Sequence, residues 1–320
     1  MSRQRGVALL TAMLMVVLVA TLAASMLWQQ WRGVEVETAQ RTRQQAAWVL
    51  AGALDWARLI LREDARQGGA DHLAEPWAVP LESARLSTFL AAERGQTTVD
   101  DDANALGQAF LAGQMQDLQA RLNVTNLIEG NKLHASSLAA WQRLFEHLNL
   151  PSFELEMFTQ ALLQSQAVAG REAQPGQPLQ PRQVADLQWL GLSKQTLRVL
   201  QPYITLLPVR TTVNLNTAAP EVLLAVVPGM DMAQARALVQ ARNRQHMGTL
   251  ADADTLVGNA AVRFDATAHG VASRFFSVTG QLRLDGATLQ EVSVLQRDGL
   301  DVKVLSRQRE LVASVSPTLQ

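Results

Sequence analysis

The apolar positions of this chain fall into three regimes, and each predicts a different structure. From Val7 to Trp28 the residues are apolar or small hydroxyls, with no charge between Arg5 and Arg32. About twenty such residues suffice for a helix to cross a bilayer, because a helix satisfies its own backbone there. Beyond this run Ala47, Leu50, Leu54, Ala57 and Leu61 recur at spacings of three and four, while Arg41, Arg43, Asp55, Arg58, Arg62 and Glu63 fall largely off that stripe. This predicts that the helix continues with one face turned to a partner surface, until Gly68-Gly69 stops it.

Towards the C-terminus the period changes to two. Phe276, Val278, Leu282 and Leu284 alternate up to Asp285-Gly286; Leu289, Val292 and Val294 precede Asp298-Gly299; Val302 and Val304 open a third run. Asp-Gly between alternating runs predicts hairpins, here an antiparallel meander. A further strand is expected over Leu118–Val124, helices over Leu138–Leu148 (capped by Ser136 or Ser137) and Phe153–Val168, and a linker around Pro175, Gly176, Pro178 and Pro181. Thr217 is expected to cap a helix carrying Val222, Leu223 and Val226, followed by a Pro228-Gly229 turn and a helix with Ala235, Leu238, Val239 and Arg242. The fold class is α+β: a long N-terminal transmembrane and amphipathic helix packed on an antiparallel sheet, with a large inserted helical domain.

The apolar N-terminus has three readings. Arg3 and Arg5 place it cytoplasmic and the remainder outside by the positive-inside rule, which suits an uncleaved anchor. A secretory signal peptide fits less well, since its apolar region should be only about 7 to 15 residues long. The short basic leader ending in Gly6 before Val7-Ala8-Leu9-Leu10 resembles a prepilin peptidase site, cut on the cytoplasmic side and methylated at the new N-terminus.

Composition narrows the chemistry. A net charge of −1 provides no global field for a polyanion, and the absence of cysteine excludes thiolate metal sites, Cys nucleophiles and disulfides. The histidines, His72, His134, His147, His246 and His269, show no helical His pairing, and there is neither a Gly-x-Ser-x-Gly elbow nor a phosphate loop, so no enzyme is expected. Asp100-Asp101-Asp102 has hard-cation ligand chemistry but reads equally as a solvated turn. The helix pair around Pro228-Gly229 resembles a helix-hairpin-helix, a SAM-like unit. Asp231 then stands where DNA-binding versions carry glycine, and no lysine follows. A carboxylate there repels phosphate, so no nucleic acid is expected.

Arg5-Gly6-Val7, Asp71–Trp77, Asp117–Leu127, Leu207-Pro208 and Val213–Ala218 occur in an order that resembles the minor pseudopilin K family of type II secretion. The resemblance implies a tip subunit of the periplasmic pseudopilus, a substrate of prepilin peptidase held in the inner membrane with its C-terminal domain periplasmic. It also implies minor pseudopilins I and J and the other pseudopilins as partners. The implied domains are a leader 1–6, a transmembrane helix 7–31, its periplasmic half 32–67, a first part of the head 68–127, an insert 128–270 and closing strands 271–320. After cleavage behind Gly6, Thr11 would be the fifth residue, where most pilin-like subunits carry a glutamate thought to meet a neighbour's N-terminus; its absence suits a tip. Many members bind calcium through Asp-Trp-x-Asp-x-Asp, but the comparable stretch here, Gln160–Ala167, has no carboxylate, and Glu172 and Asp186 are too few, so no cofactor is expected. A type IV pilus minor pilin and a membrane-anchored helix-hairpin-helix protein remain alternatives.

Overall fold

The computed structural model describes residues 4–87, 109–166, 178–258, 262–284 and 287–312. Helix α1 (Gln4–Gln67) is continuous, about 96 Å long at 1.5 Å per residue. It ends where Gly68 (φ +68°) and Gly69 (φ +118°) adopt left-handed backbone, with Gly68 N donating to Asp64 O at 3.0 Å. A side chain would be strained at either glycine. The halves of α1 differ: Leu9 to Val36 expose their large apolar side chains, whereas Ala46, Leu50, Leu54, Ala57 and Leu61 are buried. The buried stripe thus starts at Ala46, with Ala47 only partly covered.

Five strands form one antiparallel sheet in chain order: β1 (Leu81–Arg85), β2 (Phe110–Asp117), β3 (Phe275–Leu284), β4 (Ala287–Asp298) and β5 (Asp301–Val312). The expected meander is β3–β5, with Asp298 opposite Asp301 and Gly299 at φ +58° between them. The Asp285-Gly286 turn lies outside the described residues. One face of the sheet packs on α1. Trp77 sets its edge against Phe276 with ring centroids 5.2 Å apart, and Leu50 comes so near Gly280 that an added Cβ would sit 3.0 Å from it.

The expected strand over Leu118–Val124 is a correction. The strand is β2, one step earlier, and Leu118–Ala120 and Val124–Leu127 are 3-10 turns around a two-residue strand, Leu122–Asn123. Asp117 ends β2 by accepting the Gln119 N–H at 2.7 Å, and Asn123 does the same for Thr125 N at 3.1 Å. Short polar side chains that bond their own backbone divert the chain from a ladder.

Between β2 and β3 lies the insert, with helices α2 (Ala135–His147), α3 (Ser152–Gln166), α4 (Lys194–Leu200), α5 (Pro220–Val226), α6 (Met232–Arg244) and α7 (Leu250–Val257). Its core joins Trp141, Phe145, Phe158 and Leu187 to Leu122, Val124 and Leu127, so it begins several residues before the expected boundary at 128. Two expected caps differ. Helix α2 starts behind His134, whose ring nitrogen, rather than the helix backbone, is met by Ser136 and Ser137; α5 starts behind Ala219, because the Thr217 hydroxyl is engaged elsewhere.

Candidate functional site

Two places carry the chemistry expected from the sequence. The first is the start of α1. Gly6 and Val7 lie in its first turns, with Val7 exposed. The Thr11 hydroxyl donates to Val7 O at 3.2 Å, and Thr21, Ser25 and Thr38 bond back to Leu18, Leu22 and Val34 in the same way. Each hydroxyl thereby satisfies itself within the helix, which lowers the cost of placing it in hydrocarbon. The apolar segment reaches a mean hydropathy of 2.3 and is unburied, as a membrane-spanning helix requires.

The second place is where head and insert meet, and it assembles three of the sequence motifs. Asp71, at 3 % exposure, accepts Ser273 N at 2.6 Å and the Arg297 guanidinium at 2.5 Å. Arg297 also binds Asp64, on the last turns of α1, and lies 4.9 Å over the Phe276 ring. Asp117 accepts the hydroxyls of Thr217 (2.5 Å) and Ser273 (2.6 Å) and the Asn214 amide (3.0 Å). Fully buried Asn214 also reaches Asp71 O at 3.1 Å and holds Asn216 N, and Asn216 clamps Met247 through its N–H and its C=O. The motifs at Asp71, Asp117 and Val213–Thr217, far apart in the chain, are one hydrogen-bonded junction.

Burial raises the Asp117 carboxyl above its ordinary range, against the Ser273 and Thr217 hydroxyls and the Gln119 amide. Asp71 is raised as well, with desolvation outweighing Arg297. Next to them Glu75 is pushed up to about 7, chiefly by burial, while accepting His72 N (3.0 Å) and the Trp77 indole (2.5 Å). The His72 ring stacks on His246 of the insert with centroids 3.8 Å apart; burial and that neighbour lower its pKa.

Carboxylate oxygens of Asp64, Asp71 and Glu75 lie within 4.8 Å of one another. Arg297 already supplies a cation to two of them. Elsewhere, Gln160–Gln166 belong to α3 with Leu162 and Ser165 buried, and the Asp186 carboxylate is taken up by the N–H groups of Arg182 and Gln183. Asp100–Asp102, Ala167 and Glu172 lie outside the described residues.

In the helix pair α5–α6, Gly229 turns the chain at φ +78° and Asp231 caps α6, accepting Gln234 N at 2.8 Å in a capping box. One first-turn amide of α6 is thereby taken up by a carboxylate. Sequence reading missed Asp64, Ser273 and Arg297. For Arg297 a signal existed: it follows Leu295 by two, so it points inward from β4 immediately before the Asp298-Gly299 turn, where a lone arginine needs carboxylates.

Two family models, both described as type II secretion system (T2SS), protein K, match residues 120–209 and 213–272. The chain is 27 % identical to type II secretion system protein K of Pseudomonas aeruginosa, over 96 % of this chain and 93 % of that protein. It is 26 % identical to type II secretion system protein K of Pectobacterium carotovorum subsp. carotovorum, over 99 % of each. Its fold is similar to a chain in the crystal structure of the GspK-GspI-GspJ complex from the enterotoxigenic Escherichia coli type 2 secretion system. The TM-score is 0.62 at 19 % identity, covering 85 % of this chain and 98 % of that one.

Proposed function

We propose that this chain, which belongs to the type II secretion system protein K family and is a minor pseudopilin of type II secretion, caps the pseudopilus tip. The observation that carries the proposal is the position of the insert. It is bonded to the head at Asp71 and Asp117 through Ser273, Asn214 and Thr217, beside the Arg297–Asp64 pair at the end of α1 opposite Val7, roughly 85 Å away along the helix. A bulky block fixed at the distal end of the core helix obstructs a subunit stacked above it and leaves the sides of α1 open to subunits below.

In this reading the exposed apolar half of α1 anchors the chain in the inner membrane, with Arg3 and Arg5 keeping the N-terminus cytoplasmic. Prepilin peptidase cuts between Gly6 and Val7. Gly6 helps because glycine weakens a helix and the first turn frays, so the bond is easily drawn out. Thr11, already bonded to Val7 O, brings no carboxylate into the bilayer and so asks for no neighbour's ammonium.

The partners are minor pseudopilins I and J, the companions in the GspK-GspI-GspJ complex. Co-expression with prepilin peptidase and both minor pseudopilins, followed by co-purification and intact-mass measurement, tests the reading. The expected product starts at methylated Val7 and travels with both partners. A chain still starting at Met1, or one that elutes free of both, overturns it.

A further inference from the structure

A cavity of about 590 Å³ opens in the insert between the start of α2, the loop after α5 and the segment before β3. Its size lies in the range of small-ligand sites. Arg143, Arg210 and Arg263 line it, with Glu129 and Asp265 as the acidic groups and His134 and His269 as the histidines. The acidic groups and His269 each have a determinate state. Arg210 binds Glu129 at 2.5 Å. Asp265 is turned onto Thr267, accepting its N–H and its hydroxyl at 2.8 Å each. His269 is buried; its Nδ1 accepts Asp265 N at 2.9 Å, so Nε2 carries the proton towards Val226 O and the ring is neutral.

Two guanidinium groups remain uncommitted to any carboxylate among the described residues. Among the described residues Arg143 is anchored through its Nε to Ala225 O at 2.7 Å, with no partner for its terminal nitrogens, and Arg263 makes no ion pair. Burial lowers the Arg143 pKa, the mark of a cation partly stripped of water. Next to them the hydroxyls of Ser136 and Ser137 stand at the first turn of α2. Polar groups thus gather on a wall whose remainder includes Leu122, Trp141 and Val226.

We propose that this cavity receives a carboxylate presented by a peptide segment, held by Arg143 and Arg263 as Glu129 is held by Arg210. A planar guanidinium fork matches carboxylate oxygens, and Arg143, partly desolvated, binds them more strongly than an exposed guanidinium does. The apolar wall covers the peptide stem. The site goes beyond the role of a tip subunit and does not depend on it, because it lies wholly within the insert.

The test is calorimetric titration of the full-length chain in non-ionic detergent at low salt with a blocked tetrapeptide carrying two glutamates, its glutamine analogue and inorganic phosphate. The glutamate peptide binds and the glutamine analogue does not. Arg263→Gln, at an exposed position where folding is not at stake, weakens binding about tenfold, the loss expected for one charge-assisted hydrogen bond. Arg244→Gln, outside the cavity, changes nothing. The proposal is overturned if the glutamate peptide gives no heat, if both variants weaken it equally, if the glutamine analogue binds as well, or if phosphate binds more tightly than the peptide.

Discussion

The head is held together by an apolar seam, the insert is held to the head by a polar junction, and the two respond to different physics. In the seam, Leu54, Ala57 and Leu61 of α1 meet Trp77, Phe276, Val278 and Leu295 through contacts that have no direction. In the junction, Asp71, Asp117, Asn214, Ser273 and Arg297 are buried or nearly so, and each bond fixes an angle as well as a distance. A seam tolerates a change of shape at constant volume. A junction of buried charges and amides tolerates no missing partner, and so fixes one orientation of the insert on α1.

The largest expected effect is therefore at the junction. Arg297→Ala strands Asp64 and Asp71 without their cation and costs about 3–5 kcal/mol. Arg297→Lys recovers little of it, because an ammonium cannot bridge two carboxylates and the Ser273 carbonyl as the guanidinium does. Urea unfolding of the purified chain in detergent measures both. Equal stability of wild type and Arg297→Lys would erase the distinction between junction and seam.

The seam comes next. Leu54→Ala opens a void between α1 and β3 and costs about 3 kcal/mol, whereas Leu54→Met, which conserves volume, costs about 1 kcal/mol or less. A Met variant as damaging as the Ala variant in the same unfolding series would show that the seam is as exacting as the junction.

The smallest effect is the pH response at the rim between them. The Glu75 pKa, about 7 in the folded chain, is above its ordinary 4.5. Its contribution is therefore fully present below pH 4.5 and is lost as pH rises through 7. Shared with Asp64 and Asp71 and partly reached by solvent, it is worth about 2 kcal/mol across that window. Asp71 and Asp117, also raised, push the same way; His72 and His269, lowered by burial, push the opposite way below their ordinary 6.5. The difference between wild type and Glu75→Gln, measured from pH 4.5 to 7.5, isolates Glu75: the wild type loses stability relative to the variant as pH rises. A flat difference contradicts the buried-carboxyl account.

The seam was legible in the sequence and the junction only half so. Spacings of three and four locate Leu50, Leu54 and Leu61, and Asp298-Gly299 locates a hairpin, because helix and strand periods are local. Strand β2 was missed because its inward positions include Gly113 and Asp117 beside Leu111 and Met115, so no apolar alternation marks it. The alternation at Leu118, Leu122 and Val124 served instead to bury turn residues in two cores. The junction motifs were visible as residues in order. That Asp71 meets Ser273 and Arg297 could not be read from them, since no local period links positions some two hundred apart. At the N-terminus, the bond from the Thr11 hydroxyl to Val7 O is one that any threonine in a helix makes, and it marks no tip role by itself.

The most direct measurement uses the absence of cysteine. Trp189→Cys, on an exposed position of the insert, provides a single thiol for a maleimide gold label, and assembled pseudopili can be viewed by electron microscopy. A cap whose insert is locked at the distal end of α1 predicts one labelled end per filament and an unlabelled shaft. Labels distributed along the shaft would contradict it.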